Sequence, residues 1–349
     1  MVSTADIINN SQLVFVSPEK GGIYRKGAPG KFKYEDHKGN KVTDAVALER
    51  IQKLVLPPAW TNVWISPKKN GYLQAVGVDA AGRKQYRYHQ EWVNRRSNHK
   101  YFRLLEFGKA LPKARLQVEK DLRRRNFDER KVLALCVKVL QETLIRIGTA
   151  AYEKSYNSYG LSTLKDKHLK QKSNGTFLCF VGKKGVSQEV KLTDKRLVKL
   201  VKKSRDIPGQ DLFQYYDAHN ERRAVDSGMI NQYIKEITGD DFTAKDFRTW
   251  GGTLEALRQL AICSNQNPEI SAKKHVVAAL DCVAAKLGNT RAVCKSSYVY
   301  PLVLEAFEKG ELKRYLNKIA VTEADEKKAL KNDEAVLIKF LKAMNSSKA

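Results

Sequence analysis

The chain has 349 residues, 42% of them apolar, which is enough for one large or two ordinary globular cores. No apolar run reaches the roughly 18 residues of a membrane helix, and the opening "MVSTADIINNSQ" lacks the n-region and h-region of a secretory signal. Sixty-four Lys and Arg face 38 Asp and Glu, and a net charge of +26 attracts polyanions: nucleic acid first, then an anionic membrane surface, with a ribosomal or architectural role also compatible.

In chain order, residues 1–98 read as a small β-rich domain. "LVFVS", "GYLQAVGVDA" and "RKQYRYH" are short runs rich in β-branched or aromatic residues, broken by Gly, Pro and Asp. "DAVALERIQKLVL" predicts a helix stopping before Pro57-Pro58. The domain joint is placed near Arg96 to Lys100, ahead of a charge-dense stretch that includes Arg123-Arg124-Arg125. Residues 99–349 then read as mainly helical, an α+β chain overall. "ERKVLALCVKVLQETLIRIGTAAY" carries Val132, Cys136, Val139, Leu140 and Thr143 at steps of three and four, the pattern of an amphipathic helix with Arg146 near its C-terminal end. "TFLCFVGKKGVSQEVKL" predicts a β-hairpin with Lys183 at its tip. "SGMINQYIKEITG" has Ser227 as its expected N-cap, Thr243 would cap a helix holding Arg248, and "SAKKHVVAALDCVAAKLGN" runs from an N-cap Ser271 to Gly288. The tail beyond Glu305 is Lys-rich and helical in pattern.

Several chemistries lack their motifs. The cysteines (Cys136, Cys179, Cys263, Cys282, Cys294) are odd in number and form no C-x-x-C pair, and four of them sit in apolar sequence that predicts burial. There is no H-E-x-x-H and no phosphate-binding G-x-x-x-x-G-K-[ST] loop. The expectation is a soluble cytoplasmic, nucleoid-associated protein that uses no metal, nucleotide or other cofactor.

Cleaving a nucleic-acid phosphodiester without such help needs a nucleophile, cations on the non-bridging oxygens and a proton for the departing sugar oxygen. Tyrosine suits the first, because its phosphate ester can be reversed. Arginine suits the second, because its planar fork grips two oxygens. A lysine near other cations suits the third. The sequence offers Arg146 in "LIRIGTAAY" with Tyr152 six positions on, Lys183 in "FVGKKGV", Arg248 in "TAKDFRTWGGT", and Asn289 and Tyr298 in "GNTRAVCKSSYVYP". Taken singly, each has an ordinary explanation as a core, cap or surface residue.

In this order and spacing, with 37 positions from Arg146 to Lys183 and 9 from Asn289 to Tyr298, the set resembles the active site of the type IB DNA topoisomerases, the compact bacterial and poxvirus-type enzymes. "YGLSTLKDKH", "LPPAWTNVWI" and "LQAVGVDAAGRKQYRYH" are similar to further signatures of that family, so the resemblance runs from Leu56 to Pro301. It implies a β-rich DNA-clamp domain and a mainly α-helical catalytic domain of the topoisomerase IB and tyrosine recombinase type. Tyr298 would be the nucleophile that forms a 3′-phosphotyrosine. Arg146 and Arg248 would clamp the phosphate, Lys183 would act as general acid, and Asn289 would donate to a non-bridging oxygen. Asn289 departs from the poxvirus pattern, which has histidine there, and its amide cannot become a cation. Arg83, Lys84, Gln85, Tyr86 and Tyr88 would contact DNA from the first domain, and Tyr152 and Lys245 from the second. Tyr300, about 200° round a helix from Tyr298, is expected to be a packing residue or phosphate neighbour. The implied partner is duplex DNA, bound by a monomer, with no membrane and no nucleotide. The alternative is a tyrosine recombinase or integrase, but Lys245-x-x-Arg248 stands where recombinases carry H-x-x-R.

Overall fold

The computed structural model describes residue 8 and residues 11–80, 82–320 and 326–346, so most of the stretch read for a signal lies outside the described residues. Contacts divide the chain into two compact units, Met1–Phe102 and Arg103–Ala349.

The first unit is an antiparallel sheet of β1 (Ile23–Lys26), β2 (Lys33–Glu35), β3 (Thr61–Ile65), β4 (Leu73–Val78) and β5 (Lys84–Tyr88), in the order β2-β1-β3-β4-β5. Helix α1 (Ala45–Lys53) starts where the Asp44 carboxylate accepts from the Val46 and Ala47 amides, and Ile51 packs against Ile23, Val63, Ile65 and Ala75. "LVFVS" is not a strand: Val14 makes one isolated bridge to Gly71. Its buried residues, Leu13 and Val16, are three apart and Phe15 is exposed, so the segment does not alternate with the period of two that pairing requires.

Helix α2 (Gln90–Leu122) contains the division between the units, and its 33 residues take up much of the charge-dense stretch. The second unit continues with α3 (Glu129–Thr143), α4 (Ala150–Tyr156), and a three-stranded antiparallel sheet of β6 (Leu169–Lys172), β7 (Gly175–Val181) and β8 (Ser187–Leu192). Then come α5 (Lys195–Arg205), a small hairpin of β9 (Gln214–Tyr216) and β10 (Arg222–Ala224), α6 (Ser227–Thr238), α7 (Ala244–Gln266), α8 (Ala272–Leu287), α9 (Arg291–Ser297), α10 (Pro301–Glu308), α11 (Lys313–Leu316) and α12 (Glu326–Ser346). The fold is α+β, a small sheet-based unit followed by a mainly helical one.

Helix α3 is the axis of the second core. Every residue from Lys131 to Val137 is buried, so the expected single apolar stripe is in fact apolar nearly all round. Fully burying side chains such as Leu135 and Leu140 contributes about 1.5–3 kcal/mol each. The helix ends earlier than its sequence predicts. Leu144 adopts a left-handed conformation (φ 54°), its amide closes onto the Leu140 carbonyl, and Arg146 lies in the loop beyond, not on the helix. Helix α6 is capped by Asp226 and not by Ser227, since the carboxylate one residue earlier accepts from the Met229 amide at 2.9 Å. Two cysteines, Cys136 and Cys294, are buried; Cys179 and Cys263 are half-buried and Cys282 is exposed, because strand β7 and helices α7 and α8 present those positions towards solvent.

The Lys-rich tail is docked. Helix α12 buries Leu337, Phe340 and Leu341, and sets Asp333 and Glu334 (1% and 7% exposed) against cations. Arg258 Nε reaches Asp333 at 2.7 Å, Arg115 forks onto Glu334 at 2.6 and 2.7 Å, and Trp250 Nε1 donates to Glu334 at 2.9 Å. These bonds fix α12 to α7 and α2. Among the described residues, no helix is long and apolar enough to cross a membrane.

Candidate active site

Four elements of the second unit bring the predicted residues together. Helix α7 starts at Thr243, in a capping box with Asp246, and one turn later carries Arg248 inward at 3% exposure. Arg248 Nη2 donates to the Leu287 carbonyl at 3.0 Å, and Nη1 donates to the Leu144 carbonyl that the left-handed residue turns inward. The buried Arg248 Nε–H has no hydrogen-bond partner. The guanidinium therefore meets carbonyl dipoles from two directions, and its carbon stands 4.8 Å from the Tyr298 ring centre. Burial, above all, holds its pKa below the usual arginine value.

Arg146 sits in a loop pinned by its own main chain: the Leu161 amide donates to the Arg146 carbonyl at 2.8 Å, and the Ser162 amide to the Ile147 carbonyl at 2.7 Å. Those partners belong to "YGLS", so that sequence word supports the arginine loop. Arg146 Nη1 donates to the Gly288 carbonyl at 3.3 Å, and Nη2 to Asn289 Oδ1. Asn289 follows the C-cap of α8, its amide fastened to the Ala284 carbonyl at 3.0 Å; Oδ1 is occupied and Nδ2 donates one hydrogen to the Leu287 carbonyl at 3.4 Å, which leaves the second Nδ2 hydrogen to offer a ligand.

Tyr298 ends α9, half-buried, with its amide bonded to the Cys294 carbonyl at 3.0 Å. Burial pushes its phenol pKa up, but the combined opposing pull of Arg248, by charge and hydrogen bond, and of Arg146 and Lys245 brings it below 10.0. Tyr300 is not on a helix with Tyr298, so the expected 200° argument does not apply. It is the N-cap of α10, 7% exposed, with its pKa raised by burial, and it packs.

Lys183 stands at the tip of the β7–β8 hairpin, exposed, with Nζ 5.6 Å from the Tyr152 ring centre. It lines the same cleft as Arg146, Asn289 and Tyr298, a space of about 820 Å³. Lys245 is exposed one turn before Arg248, and Tyr152 is 40% exposed on α4. The first unit holds its own predicted group on β5 and the residue just before it. Arg83 Nε and Gln85 Nε2 both donate to the Asp79 carboxylate at 2.8 Å, Lys84 is exposed, and Tyr86, half exposed, stacks on Tyr88 with centres 6.1 Å apart. Among the described residues, no group of three or more His, Cys, Asp or Glu could hold a metal ion.

Sequence reasoning passed over the residues that fix the Tyr298 main chain. Thr253 Oγ1 lies 3.3 Å from the Tyr298 carbonyl and accepts from the Tyr300 amide at 3.1 Å. At Gly252 a Cβ would fall 2.8 Å from the Tyr298 carbonyl oxygen, so only glycine lets α7 approach so closely. The only signal in the sequence is the pair of glycines in "RTWGGT". Gly252→Val is expected to displace Tyr298 and slow its chemistry by about a hundredfold, the usual effect of an ångström-scale shift at a reacting group. Single-turnover strand cleavage checks this, alongside a melting curve to confirm folding.

Known proteins resemble this chain over most of its length. Residues 86–332 match the family described as eukaryotic DNA topoisomerase I, catalytic core, and residues 31–79 match bacterial DNA topoisomerase IB, N-terminal domain. The DNA topoisomerase 1B of Acanthamoeba polyphaga mimivirus is 33% identical over 294 residues, 82% of this chain and 88% of its own. The DNA topoisomerase 1B of vaccinia virus (strain Copenhagen) is 28% identical over 255 residues, 72% of this chain and 76% of its own. The DNA topoisomerase 1 of rabbit fibroma virus is 26% identical over 238 residues, 66% of this chain and 70% of its own.

Proposed function

The chain belongs to the type IB DNA topoisomerases, and from that premise we propose that it relaxes positive and negative supercoils through a 3′-phosphotyrosine on Tyr298, without ATP or metal. Tyr298 Oη attacks phosphorus and the P–O5′ bond breaks. Lys183 delivers a proton to the departing 5′ oxygen, and the freed 5′ strand rotates. The reverse attack by the 5′-hydroxyl expels the tyrosine. One phosphodiester replaces another, so bond energy is conserved and torsion in the DNA supplies the drive. Arg146, Arg248 and Asn289 Nδ2 surround the oxygens where charge builds up in the pentacoordinate transition state.

The observation that carries this reading is the buried Arg248 guanidinium against the Tyr298 ring, with one donor unpartnered and the phenol pKa lowered. A fixed cation with an open donor suits an anion held beside it. All five groups belong to one unit of one chain, which supports action as a monomer. Supercoiled plasmid in EDTA without ATP tests the proposal: a ladder of relaxed topoisomers is expected, and no relaxation, or site-specific strand exchange in its place, overturns it.

A pH dependence follows from the lowered phenol pKa. The cleavage rate should climb with pH as Tyr298 ionises and level off above its pKa, which lies below 10.0. Lys245 is an exposed cation that helps lower that pKa, so Lys245→Ala should move the rising limb to higher pH. Single-turnover rates across pH at saturating enzyme check this; an unmoved limb would mean that another group sets it.

A further inference from the structure

We propose that Gln188 is a positioning residue that seats the Lys183 hairpin on the loop holding Arg146 and Asn289, and thereby sets the reach of the general acid. The inference rests on the reading of Lys183 as that acid.

The hairpin tip is short and closed. In the β7–β8 register Phe180 faces Gln188 and Val181 faces Ser187, the Gly182 amide bonds the Val186 carbonyl at 2.8 Å, and the Gly185 amide bonds the Gly182 carbonyl at 3.1 Å. Wherever the neck goes, the Lys183 main chain follows. Around the tip Lys183, Lys184 and Val186 are exposed, and a Cβ on Gly185 would meet nothing within 4 Å. The neck differs. The Gln188 side chain lies between two glycines: a Cβ on Gly182 would stand 3.2 Å from its Cγ, and one on Gly288 would stand 2.3 Å from its Oε1 and 2.7 Å from its Nε2. Gln188 thus fills the space that any side chain at those two positions would occupy.

The far glycine is part of the site's frame. Gly288 closes α8 in the left-handed conformation (φ 57°), its carbonyl accepts from Arg146, and Asn289 comes next. Gly182 immediately precedes Lys183. One flat amide therefore spans from the base of the acid's loop to the residue that orients the phosphate-binding groups. Lys183 is long and exposed, and it rests beside Tyr152. If its loop tilts, the ammonium loses the fixed origin from which it swings to the 5′ oxygen, and an error of about 1 Å there costs about a hundredfold in rate.

The leaving group provides the test. An ordinary 5′ alkoxide, about as basic as hydroxide (water pKa about 15.7), needs a proton from Lys183. In a DNA whose scissile 5′ oxygen is replaced by sulfur, the P–S bond breaks and the electron pair leaves on a thiolate, of pKa about 8.5, that needs none. Single-turnover cleavage of both duplexes by the wild type, Lys183→Ala, Gln188→Ala and Gln188→Met is compared, with melting curves for each. Gln188→Ala should be about 10- to 100-fold slow on the oxygen duplex and near wild type on the sulfur duplex, as Lys183→Ala should be. Gln188→Met, unbranched and of similar length, should recover most of the rate.

If Lys183→Ala is rescued by sulfur but Gln188→Ala is not slowed, or is slowed equally on both duplexes, the positioning role is overturned and the acid assignment stands. If sulfur does not rescue Lys183→Ala, the acid assignment fails and takes the positioning role with it.

Discussion

Tyr298→Phe should form no covalent DNA adduct and should cut its cleavage rate by on the order of 10⁴-fold or more, because the substitution removes the attacking oxygen itself. The fold should survive with a lowered melting temperature: the hydroxyl's hydrogen bond with the buried Arg248 is lost, at about 1–3 kcal/mol, while Thr253 and Cys294 still hold the main chain and the ring still packs against Arg248. Duplex affinity should stay within a fewfold of wild type, since the +26 chain draws its binding from many phosphate contacts. Trapping on a nicked suicide duplex, then mass spectrometry of the DNA-linked peptide, checks both halves. An adduct on Tyr300, two residues away, would reverse the assignment. Tyr300 is buried and packs, so Tyr300→Phe should cleave at close to the wild-type rate.

Arg248→Ala should carry the second-largest cost, split between rate and stability. Losing a preorganised donor beside the developing charge slows chemistry by about 10²- to 10³-fold. Arg248 is also the strongest of the cations that lower the Tyr298 pKa, so the pH at which the rate levels off should rise as well. The same side chain holds the Leu144 and Leu287 carbonyls; Leu287 keeps Asn289 Nδ2 at 3.4 Å, but the Leu144 acceptor loses Arg248, at about 1–3 kcal/mol. Arg248→Lys separates the two effects. Lysine keeps the charge but lacks the fork that spans two carbonyls and still presents Nε to a ligand. It should therefore keep a lower Tyr298 pKa than alanine does, yet melt below wild type and cleave slowly. Thermal melts and single-turnover rates give the two readouts. A Lys variant with wild-type rate and melting temperature would show that the fork is not needed.

The elements legible in the sequence were those with strong local signals. Helix α8 runs from Ser271 to Gly288 as predicted: the left-handed Gly288 turns its amide back onto the last turn, and Ser271 holds the N-cap position in extended backbone, though its side chain makes no capping bond. The β7–β8 hairpin formed around Gly182-Lys183-Lys184-Gly185 for the same reason, with Lys184 and Gly185 both at positive φ. Where the signal was split between neighbours, prediction slipped: Asp226 took the cap from Ser227, and the apolar spacing of "LVFVS" suited burial without pairing. The early end of α3 was not legible, since "QETLIRIG" holds no Gly, Pro or other turn residue before Gly148. Where the helix ends, the Leu144 carbonyl accepts from Arg248, 104 residues later, a partner that no local pattern reveals.

By itself, then, the order and spacing of Arg146, Lys183, Arg248, Asn289 and Tyr298 determined which family's chemistry to look for, because residue type limits what each group can do to a phosphodiester. Only the tertiary structure decided how they act on one another: Arg248 buried against the Tyr298 ring, Arg146 joined to Asn289, Thr253 and Gly252 fixing the Tyr298 main chain, Gln188 wedged between Gly182 and Gly288. These pairings join segments far apart in the chain. Burial, close approach and the field at a phenol depend on distances in space, which no local pattern encodes.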